Sequence, residues 1–195
     1  MNRTVHPIEE ESYRILRSRI DTSGLPPLTR AVVERVIHSS ADPDYLTDLV
    51  TEEDWLRAAH TALHRDAAPV VTDVAMVAAG ITRRRTVCRL AEAVAAPGLT
   101  RSAHAVRLAL QQVGPGAVWV IGCAPTALFE LLALEAEPAL VIGLPVGFVG
   151  AAESKAALRA TGLPAVSNIS EKGGSAVAAA AVNALLYAQH PKETL

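Results

Sequence analysis

Aromatic side chains are scarce in this chain of 195 residues: they make up only 4% of it, although half of all residues are apolar. A core with so few rings is built from alanine, valine and leucine, and the length suits a single domain with such a core. Only two cysteines are present, Cys88 and Cys123. Neither a disulfide framework nor a cysteine metal cluster is therefore expected, and Cys88 is predicted to be a small buried residue.

An excess of charge of one sign is also missing, because the formal net charge is only -2. Without a broad basic field, binding to nucleic acid is not expected, and the single arginine run at 83–85 is interpreted as a solvated or ligand-facing turn. No apolar stretch reaches the length of a membrane span without polar interruption, and the opening segment MNRTVHPIEEESYR is polar and acidic. We expect a cytoplasmic protein with no membrane segment.

The common nucleotide-binding motifs are absent as well. A dinucleotide fingerprint requires GxGxxG, whereas Gly143, Gly147 and Gly150 stand at a different spacing. The segment EKGGS lacks the GK[ST] ending with which a P-loop brings a lysine and a hydroxyl to phosphates and magnesium. A nicotinamide-dependent oxidoreductase and a P-loop enzyme are both disfavoured.

One pattern is present three times between Ala117 and Ala188: a short apolar run, a loop of small residues and the start of an alanine-rich helix. The copies are AVWVIGCAPTALFELL, ALVIGLPVGFVGAAESKAAL and LPAVSNISEKGGSAVAAAAVNALL. Apolar runs of four or five residues bounded by glycine and proline are typical of buried parallel strands, and the helices supply the crossovers. With PVVTDV and TVCRL as further strands, we predict an α/β fold with a mostly parallel sheet of about five strands flanked by helices.

The chain is interpreted as one domain, 1–195, with a helical N-terminal part at about 7–66 and an α/β core at about 69–188. Helical periodicity predicts four helices outside the repeats: Pro7–Ile20, Leu28–Ser39, Glu52–Arg65 and Ser102–Val113.

The repeats also predict where a ligand binds. Open parallel sheets bind ligands beyond the carboxyl ends of their strands, where helix starts present unpaired N–H groups that favour anions. Pro125 suits a first helical position, Glu153 a first turn, and Ser175 can cap a helix. Arg101, which follows the plausible cap Thr100, is expected at the same edge, with a surface arginine as the alternative. We expect a site for a ligand with several negative charges.

The N-terminal helices contain the candidate proton-transfer group. Ser12 falls within the apolar stripe of its helix, so its hydroxyl is expected to point inward and to need a partner. Arg35 and His38 share one flank of the next helix, although His38 can equally be a cation placed at a helix C-terminus. His60 and His64 have a spacing that can hold zinc, but no third ligand accompanies them, and a solvated helix face is favoured.

Several segments resemble the precorrin-8X methylmutase family, which acts on a corrin ring in cobalamin biosynthesis. GLPVGFVGAAESK is the most specific, and the resemblance runs from about Pro7 to Leu186. The other segments that carry it are ERVIHSSAD, DVAMVAAGITR, LTRSA, IGCAPTALFELL and KGGSAVAAAAVNAL.

The resemblance implies an isomerase that moves a methyl group from C-11 to C-12 of the macrocycle and yields hydrogenobyrinate or its cobalt counterpart. It implies His38 as proton donor and acceptor, a homodimer with the ring near the subunit boundary, and neither a cofactor nor a metal ligand. Together with the sheet-edge pattern, it assigns substrate contacts to Ser12, Arg35, Thr82, Arg101, Cys123, Thr126, Gly147, Gly150, Gly174 and Ser175.

Cys123 departs from the family pattern, which usually reads IGNAPTAL. A thiol is a weak hydrogen-bond donor and acceptor, so a contact made by the asparagine amide is lost or changed here. Alternatively, Cys123 is a small packing residue in a tight turn, and we favour this interpretation. At the level of function, the alternative to catalysis is a protein that binds or sequesters corrinoids. Whether the substrate carries cobalt stays open.

Overall fold

The computed structural model describes residues 6–188, which form one α/β domain around a single sheet. The predicted domain 1–195 also included 1–5 and 189–195, which lie outside the described residues. The strands are β1 (Leu49–Thr51), β2 (Val70–Thr72), β3 (Thr86–Val87), β4 (Val118–Ile121), β5 (Leu140–Gly143) and β6 (Ala165–Asn168). The helices are α1 (Pro7–Arg19), α2 (Pro27–Ser40), α3 (Tyr45–Asp48), α4 (Glu53–His64), α5 (Ala75–Gly80), α6 (Arg101–Val113), α7 (Pro125–Ala133), α8 (Ala151–Ala160) and α9 (Ser175–Tyr187).

The sheet has the strand order β1-β6-β5-β4-β2-β3. All neighbouring strands run parallel except β1, which pairs antiparallel with β6 at one edge. The α/β class and the mostly parallel sheet are therefore confirmed, with six strands rather than about five. The strand that sequence reasoning missed, β1, lies in the part expected to be helical. Its three residues, LVT, are too few for a period-two pattern, and it forms only because β6 offers it a partner.

Both faces of the sheet are covered, as expected for a parallel sheet with helical crossovers. Val118 and Val120 of β4 point into the core beneath α2, α4 and α9, whereas Trp119 and Ile121 point into the core beneath α6, α7 and α8. Because all four residues are completely buried, the strand reads as a continuous apolar run. This burial explains why composition alone predicted the central strands.

The alanine-rich helix α9 is buried over most of its circumference and packs against α2, α5 and the sheet. Small side chains allow this close packing: a Cβ atom added to Gly80 of α5 would lie 2.7 Å from the Cβ of Ala179. Helix α9 is therefore part of the core of the domain. Among the described residues, no helix is both long and apolar enough to cross a membrane.

Several details of the repeats match their predicted roles. Helix α7 begins at Pro125, Glu153 lies in the first turn of α8, and the Thr100 hydroxyl accepts a hydrogen bond from the Ala103 N–H at the start of α6. The prediction that Ser175 caps a helix is wrong. Gly174 occupies the cap position of α9, and Ser175 is already helical, so its hydroxyl makes no capping bond. The predicted burial of Cys88 is also incomplete, since it lies half-buried just beyond the end of β3.

Candidate active site

His38 lies in the last turn of α2, against α1. Its Nδ1 atom is 2.7 Å from the Ser12 Oγ atom, and its ring stacks on Tyr13 with centroids 5.1 Å apart and an interplanar angle of 11°. The prediction that the Ser12 hydroxyl points inward and requires a partner is confirmed, and that partner is the histidine. The Nε2 atom of His38 has no hydrogen-bond partner among residues 6–188, so one ring nitrogen is held and the other is available.

A cavity of about 320 Å³ opens beside this histidine, between α1 and α2. Its wall is mainly aliphatic, with Ile8, Ile15 and Ile37 beside Ser12 and His38. Glu11 and Arg19 also line it. A mainly apolar wall with a few polar groups, among them an imidazole, suits a hydrophobic ring system that must exchange a proton. His38 is also the basic group in the last turn of α2, so its predicted helix-end position holds as well.

Arg35 and Thr82 meet at Tyr187, on the C-terminal end of α9. The Arg35 guanidinium lies 4.6 Å from the Tyr187 ring centroid and 3.6 Å from a Glu9 carboxylate oxygen. The hydroxyls of Thr82 and Tyr187 are 2.5 Å apart, and the Arg83 guanidinium stacks 4.2 Å from the same ring. We call Ser12, Arg35, His38, Thr82 and Tyr187 the histidine face.

Sequence reasoning missed Tyr187 and Arg83 as members of this surface. Arg83 carried a partial signal, since the arginine run at 83–85 was interpreted as a possible ligand-facing turn. Tyr187 carried none, because it is far from Thr82 and Arg35 in the chain and joins them only when α9 packs against α2.

The other predicted site residues lie at the carboxyl edge of the sheet, which we call the sheet edge. The hydroxyls of Thr100 and Thr126 are 2.9 Å apart, so the starts of α6 and α7 adjoin and Arg101 is exposed next to them. A cavity of about 300 Å³ lies between these two helix starts and includes Phe129 in its wall. Arg101, Thr126 and Cys123 are thus brought into one neighbourhood.

The start of α7 already holds a carboxylate of the protein itself. Asp73, which follows β2, accepts hydrogen bonds from the N–H groups of Gly122, Cys123 and Ala124 at 3.1, 2.8 and 2.8 Å. Burial raises the pKa of Asp73, although these three N–H groups oppose that rise. The expectation that a substrate carboxylate takes these backbone donors is therefore corrected, because Asp73 occupies them.

Cys123 lies in the predicted turn between β4 and α7, but its side chain is exposed and contributes little packing. Its backbone N–H is committed to Asp73, whereas the thiol points away from the core. Burial of the sulfur and the nearby Asp73 carboxylate raise the pKa of this thiol, which keeps it protonated and weakly nucleophilic near neutral pH.

The β5–α8 and β6–α9 loops meet beside this region and contain the remaining predicted glycines. The Gly147 N–H donates to the Glu171 carbonyl oxygen, and the Gly174 N–H donates to the Leu144 carbonyl oxygen at 2.9 Å. Gly150 begins α8 with a φ of 79°, in the region that glycine adopts most readily. The starts of α8 and α9 have no side-chain cap, unlike that of α6. They are the anion-favouring helix ends that the repeats predicted.

The histidine face and the sheet edge do not share a cavity, although Lys172 of the β6–α9 loop pairs with Asp42 just after α2. Ser175 and Tyr187 mark opposite ends of α9, about 18 Å apart at 1.5 Å per helical residue. The cavity beside His38 is lined by α1, α2 and the segment that follows α2, without any of the predicted sheet-edge residues.

The favoured interpretation of His60 and His64 as part of a solvated helix face is wrong for His60, whereas His64 is exposed. His60 is buried, and its Nε2 atom lies 3.3 Å from the Ala188 carbonyl oxygen, while the His64 Nε2 atom lies 3.1 Å from that of Leu185. Both imidazoles thus bond carbonyls at the C-terminal end of α9, where such groups lack helical partners. Within residues 6–188, no group of three histidine, cysteine or acidic side chains is arranged to hold a metal ion.

Comparisons with known proteins agree with this architecture. The sequence model of a family described as precorrin-8X methylmutase matches residues 7–188. A protein of Salmonella typhimurium named cobalt-precorrin-8 methylmutase is 41% identical over 92% of this chain and 93% of its own. A protein of Pseudomonas aeruginosa named precorrin-8X methylmutase is also 41% identical, over 91% and 93%.

A solved structure of precorrin-8X methylmutase from Thermus thermophilus superimposes with a TM-score of 0.81 at 34% identity and covers 93% of this chain and 96% of that one. The chain belongs to the precorrin-8X methylmutase family.

Proposed function

We propose that this protein is an isomerase that moves a methyl group from C-11 to C-12 of precorrin-8X or its cobalt counterpart, with His38 as proton donor and acceptor. The family supports an isomerase of cobalamin biosynthesis. The observation that carries the role of His38 is its geometry: one ring nitrogen lies 2.7 Å from Ser12, and the other has no partner among the described residues, beside an aliphatic cavity.

The chemistry of the proposed reaction suits these groups. Migration of a methyl group around a conjugated ring consumes no redox equivalent and needs the ring held in place while one proton is added and removed. In the imidazolium form, Nδ1–H donates to the Ser12 hydroxyl oxygen and the Nε2 proton can pass to the substrate. The neutral imidazole that remains can take a proton back at Nε2. Tyr13 restrains the ring plane by stacking. Since an imidazole exchanges protons near neutral pH, a single residue can serve in both steps.

The substrate carries many acetate and propionate carboxylates, and the chain offers cations and helix starts to bind them. Arg35 and Arg101 can each hold a carboxylate through two parallel hydrogen bonds, and the uncapped starts of α8 and α9 present backbone N–H groups. Holding a flat ring by its rim in this way supplies orientation, which lowers a barrier by several kcal/mol. That no cofactor is needed stays a prediction.

The lack of a cavity shared by the histidine face and the sheet edge supports the proposed homodimer. If both surfaces contact one macrocycle, a second copy of the chain can bring its sheet edge to the histidine face of the first. Phe148 and Val149, which are 97% and 88% exposed on the β5–α8 loop, are apolar side chains that such an arrangement would cover. Light scattering at several protein concentrations tests the dimer, and cell fractionation tests the predicted cytoplasmic location.

Turnover of precorrin-8X tests the reaction directly. We expect the absorption spectrum of the rearranged product to appear with the parent protein, and the His38→Ala variant to lose at least about a hundredfold in kcat while still binding the product. His104→Ala, which changes a half-buried histidine on α6, is the matched control and should keep its rate.

Binding without turnover in the parent protein would instead favour the corrinoid-sequestering alternative. Equal rates in His38→Ala and the parent would remove His38 from the mechanism. Relatives with both types of name are 41% identical to this chain, so metal-free and cobalt-loaded substrates should be compared side by side.

A further inference from the structure

Lys155 on α8 is completely buried, yet it ends in an ammonium group. Its Nζ atom donates to the Asn168 side-chain oxygen at 2.8 Å and to the carbonyl oxygens of Ser170 and Lys172 at 2.5 and 2.7 Å. An ammonium has three N–H groups, and three acceptors receive them. All three acceptors belong to the end of β6 and the loop that follows it.

The same loop is held from its other side by Asp48, the last residue of α3. One Asp48 carboxylate oxygen accepts the N–H groups of Ile169 and Ser170, and the other accepts the Ser170 hydroxyl and the Asn168 side-chain amide. Burial raises the pKa of Asp48, but these hydrogen bonds outweigh burial and lower it. The loop is therefore clamped between a carboxylate and an ammonium that do not bond each other directly.

The clamped segment leads directly into the start of α9. Gly173 passes so close to the Leu144 and Pro145 carbonyl oxygens that a Cβ atom would overlap both. The Gly174 N–H then bonds Leu144, and the Glu171 carbonyl receives the Gly147 N–H from the neighbouring loop. The position of 169–172 thus sets the positions of both glycine loops and the direction of the first N–H groups of α9.

Packing alone does not explain a lysine at this place. Removing an ammonium from water costs several kcal/mol, and an apolar side chain of the same length would fill the space without that cost. What the ammonium adds is three directed bonds to a loop that is otherwise irregular.

We propose that Lys155 is a positioning residue for substrate binding: it holds the β6–α9 loop in the form in which the start of α9 can bind a substrate carboxylate. The inference rests on the proposed function for the identity of that ligand. Lys155 itself does not reach the open edge, since it is buried. Its loss should therefore weaken binding of the carboxylated ring more than it slows the proton transfer at His38.

The clamp should also depend on pH. Burial lowers the pKa of Lys155 to about 8, with Arg159 acting in the same direction, while Asp48 and Glu171 favour the ammonium and limit the change. A neutral amine has only two N–H groups, so one of the three acceptors then faces a lone pair. We expect the loop to loosen as the pH rises through about 8.

Three forms of the full-length protein test this role: the parent, Lys155→Met, and Lys172→Met as a control. The control removes from the same loop a half-exposed ammonium that pairs with Asp42 and Asp44. In Lys155→Met, we expect the KM for precorrin-8X and the Kd for hydrogenobyrinate to rise about tenfold, while kcat changes less than threefold. In the parent, both constants should rise above pH 8, and in Lys155→Met they should be flat between pH 7 and 9. Lys172→Met should follow the parent.

Amide hydrogen exchange followed by NMR separates this inference from the proposed reaction and needs no ligand. After correction for intrinsic rates, the Gly147 and Gly174 amides of the parent should lose about tenfold in protection between pH 7 and 9, whereas the Val141 amide should not. This measurement stands even if Lys155→Met does not fold or the protein turns nothing over. Unchanged loop protection, or a Lys155→Met variant that loses kcat at constant KM and Kd, would overturn the positioning role.

Discussion

The histidine face is built mainly from side chains, whereas the sheet edge is built mainly from the backbone. On the histidine face, side chains from α1 and α2 surround a mainly aliphatic cavity, and one imidazole nitrogen stays available. At the sheet edge, glycines and backbone N–H groups dominate, and the polar side chains mostly bond other parts of the protein, as Asp73 and Lys155 do. Proton transfer needs a nitrogen atom that is not already hydrogen-bonded within the protein, whereas binding of a rigid ring needs a surface that does not move.

Gly173 offers the strongest test of the rigid sheet edge. Gly173→Ala would place a Cβ atom against two backbone carbonyl oxygens, which cannot move as a flexible side chain could. We expect a loss of about 3 kcal/mol in the free energy of unfolding and a weaker affinity for hydrogenobyrinate. Urea unfolding and a binding titration measure the two effects.

The control for this variant is Gly24→Ala, because nothing lies within 4 Å of a Cβ atom added at Gly24. It should unfold within about 0.5 kcal/mol of the parent. Equal stability of Gly173→Ala and Gly24→Ala would mean that the sheet edge yields more easily than its geometry indicates.

The attachment of α1 to α2 gives the next largest effect, on the side of the histidine face. Burial alone would raise the pKa of Glu34, but hydrogen bonds from Arg17, Thr22 and Arg30 lower it to about 2. A carboxyl with a lowered native pKa stabilises the fold above its unfolded value of about 4.5 and loses that contribution as the pH falls toward 2. We expect this pair of helices to lose about 2 kcal/mol between pH 6 and pH 3.

Glu34→Gln isolates that contribution from the other carboxyls. Its urea unfolding should show a lower stability than the parent at pH 6, and the difference between the two proteins should shrink toward pH 3. A constant difference over this range would mean that the ion pairs of Glu34 do not hold α1 in place.

Ser12→Ala changes the histidine face and should have a smaller effect than the two preceding substitutions. Removal of the hydroxyl leaves Nδ1 of His38 without its partner, so the imidazole loses its orientation. We expect kcat to fall about tenfold while KM stays constant, because the cavity wall is otherwise unchanged. Steady-state kinetics measure this split.

Ser18→Ala is the matched control for Ser12→Ala, since its hydroxyl bonds only the Ile15 carbonyl of its own helix. If both variants were equally slow, the effect would belong to α1 and not to the serine–histidine pair.

The smallest effect is expected at Cys123. Because the side chain is exposed and the backbone N–H is already bound to Asp73, Cys123→Asn should change kcat/KM less than about threefold. A large gain would mean that the asparagine usual in the family makes a substrate contact that this chain lacks.

A site residue could be predicted from the sequence when the residues that determine its role are its neighbours in the chain. Ser12 was recognised because one helical turn shows that it falls in an apolar stripe, and Pro125 because its role is set by a single helix start. Tyr187 could not be recognised, since its meeting with Thr82 and Arg35 depends on how three separate elements pack. The same holds for Asp73, whose three backbone donors follow a different strand.

The sequence by itself determined the α/β class, the central strands, the helix starts of the repeats and the family, because each is encoded in local periodicity or in contiguous motifs. Tertiary structure decided that β1 joins the sheet, that Asp73 binds the N–H groups before α7, that Lys155 clamps the β6–α9 loop, and that the two groups of site residues do not share a cavity. These features depend on hydrogen bonds between residues distant in the chain, and a hydrogen bond forms only where packing brings donor and acceptor within about 3 Å.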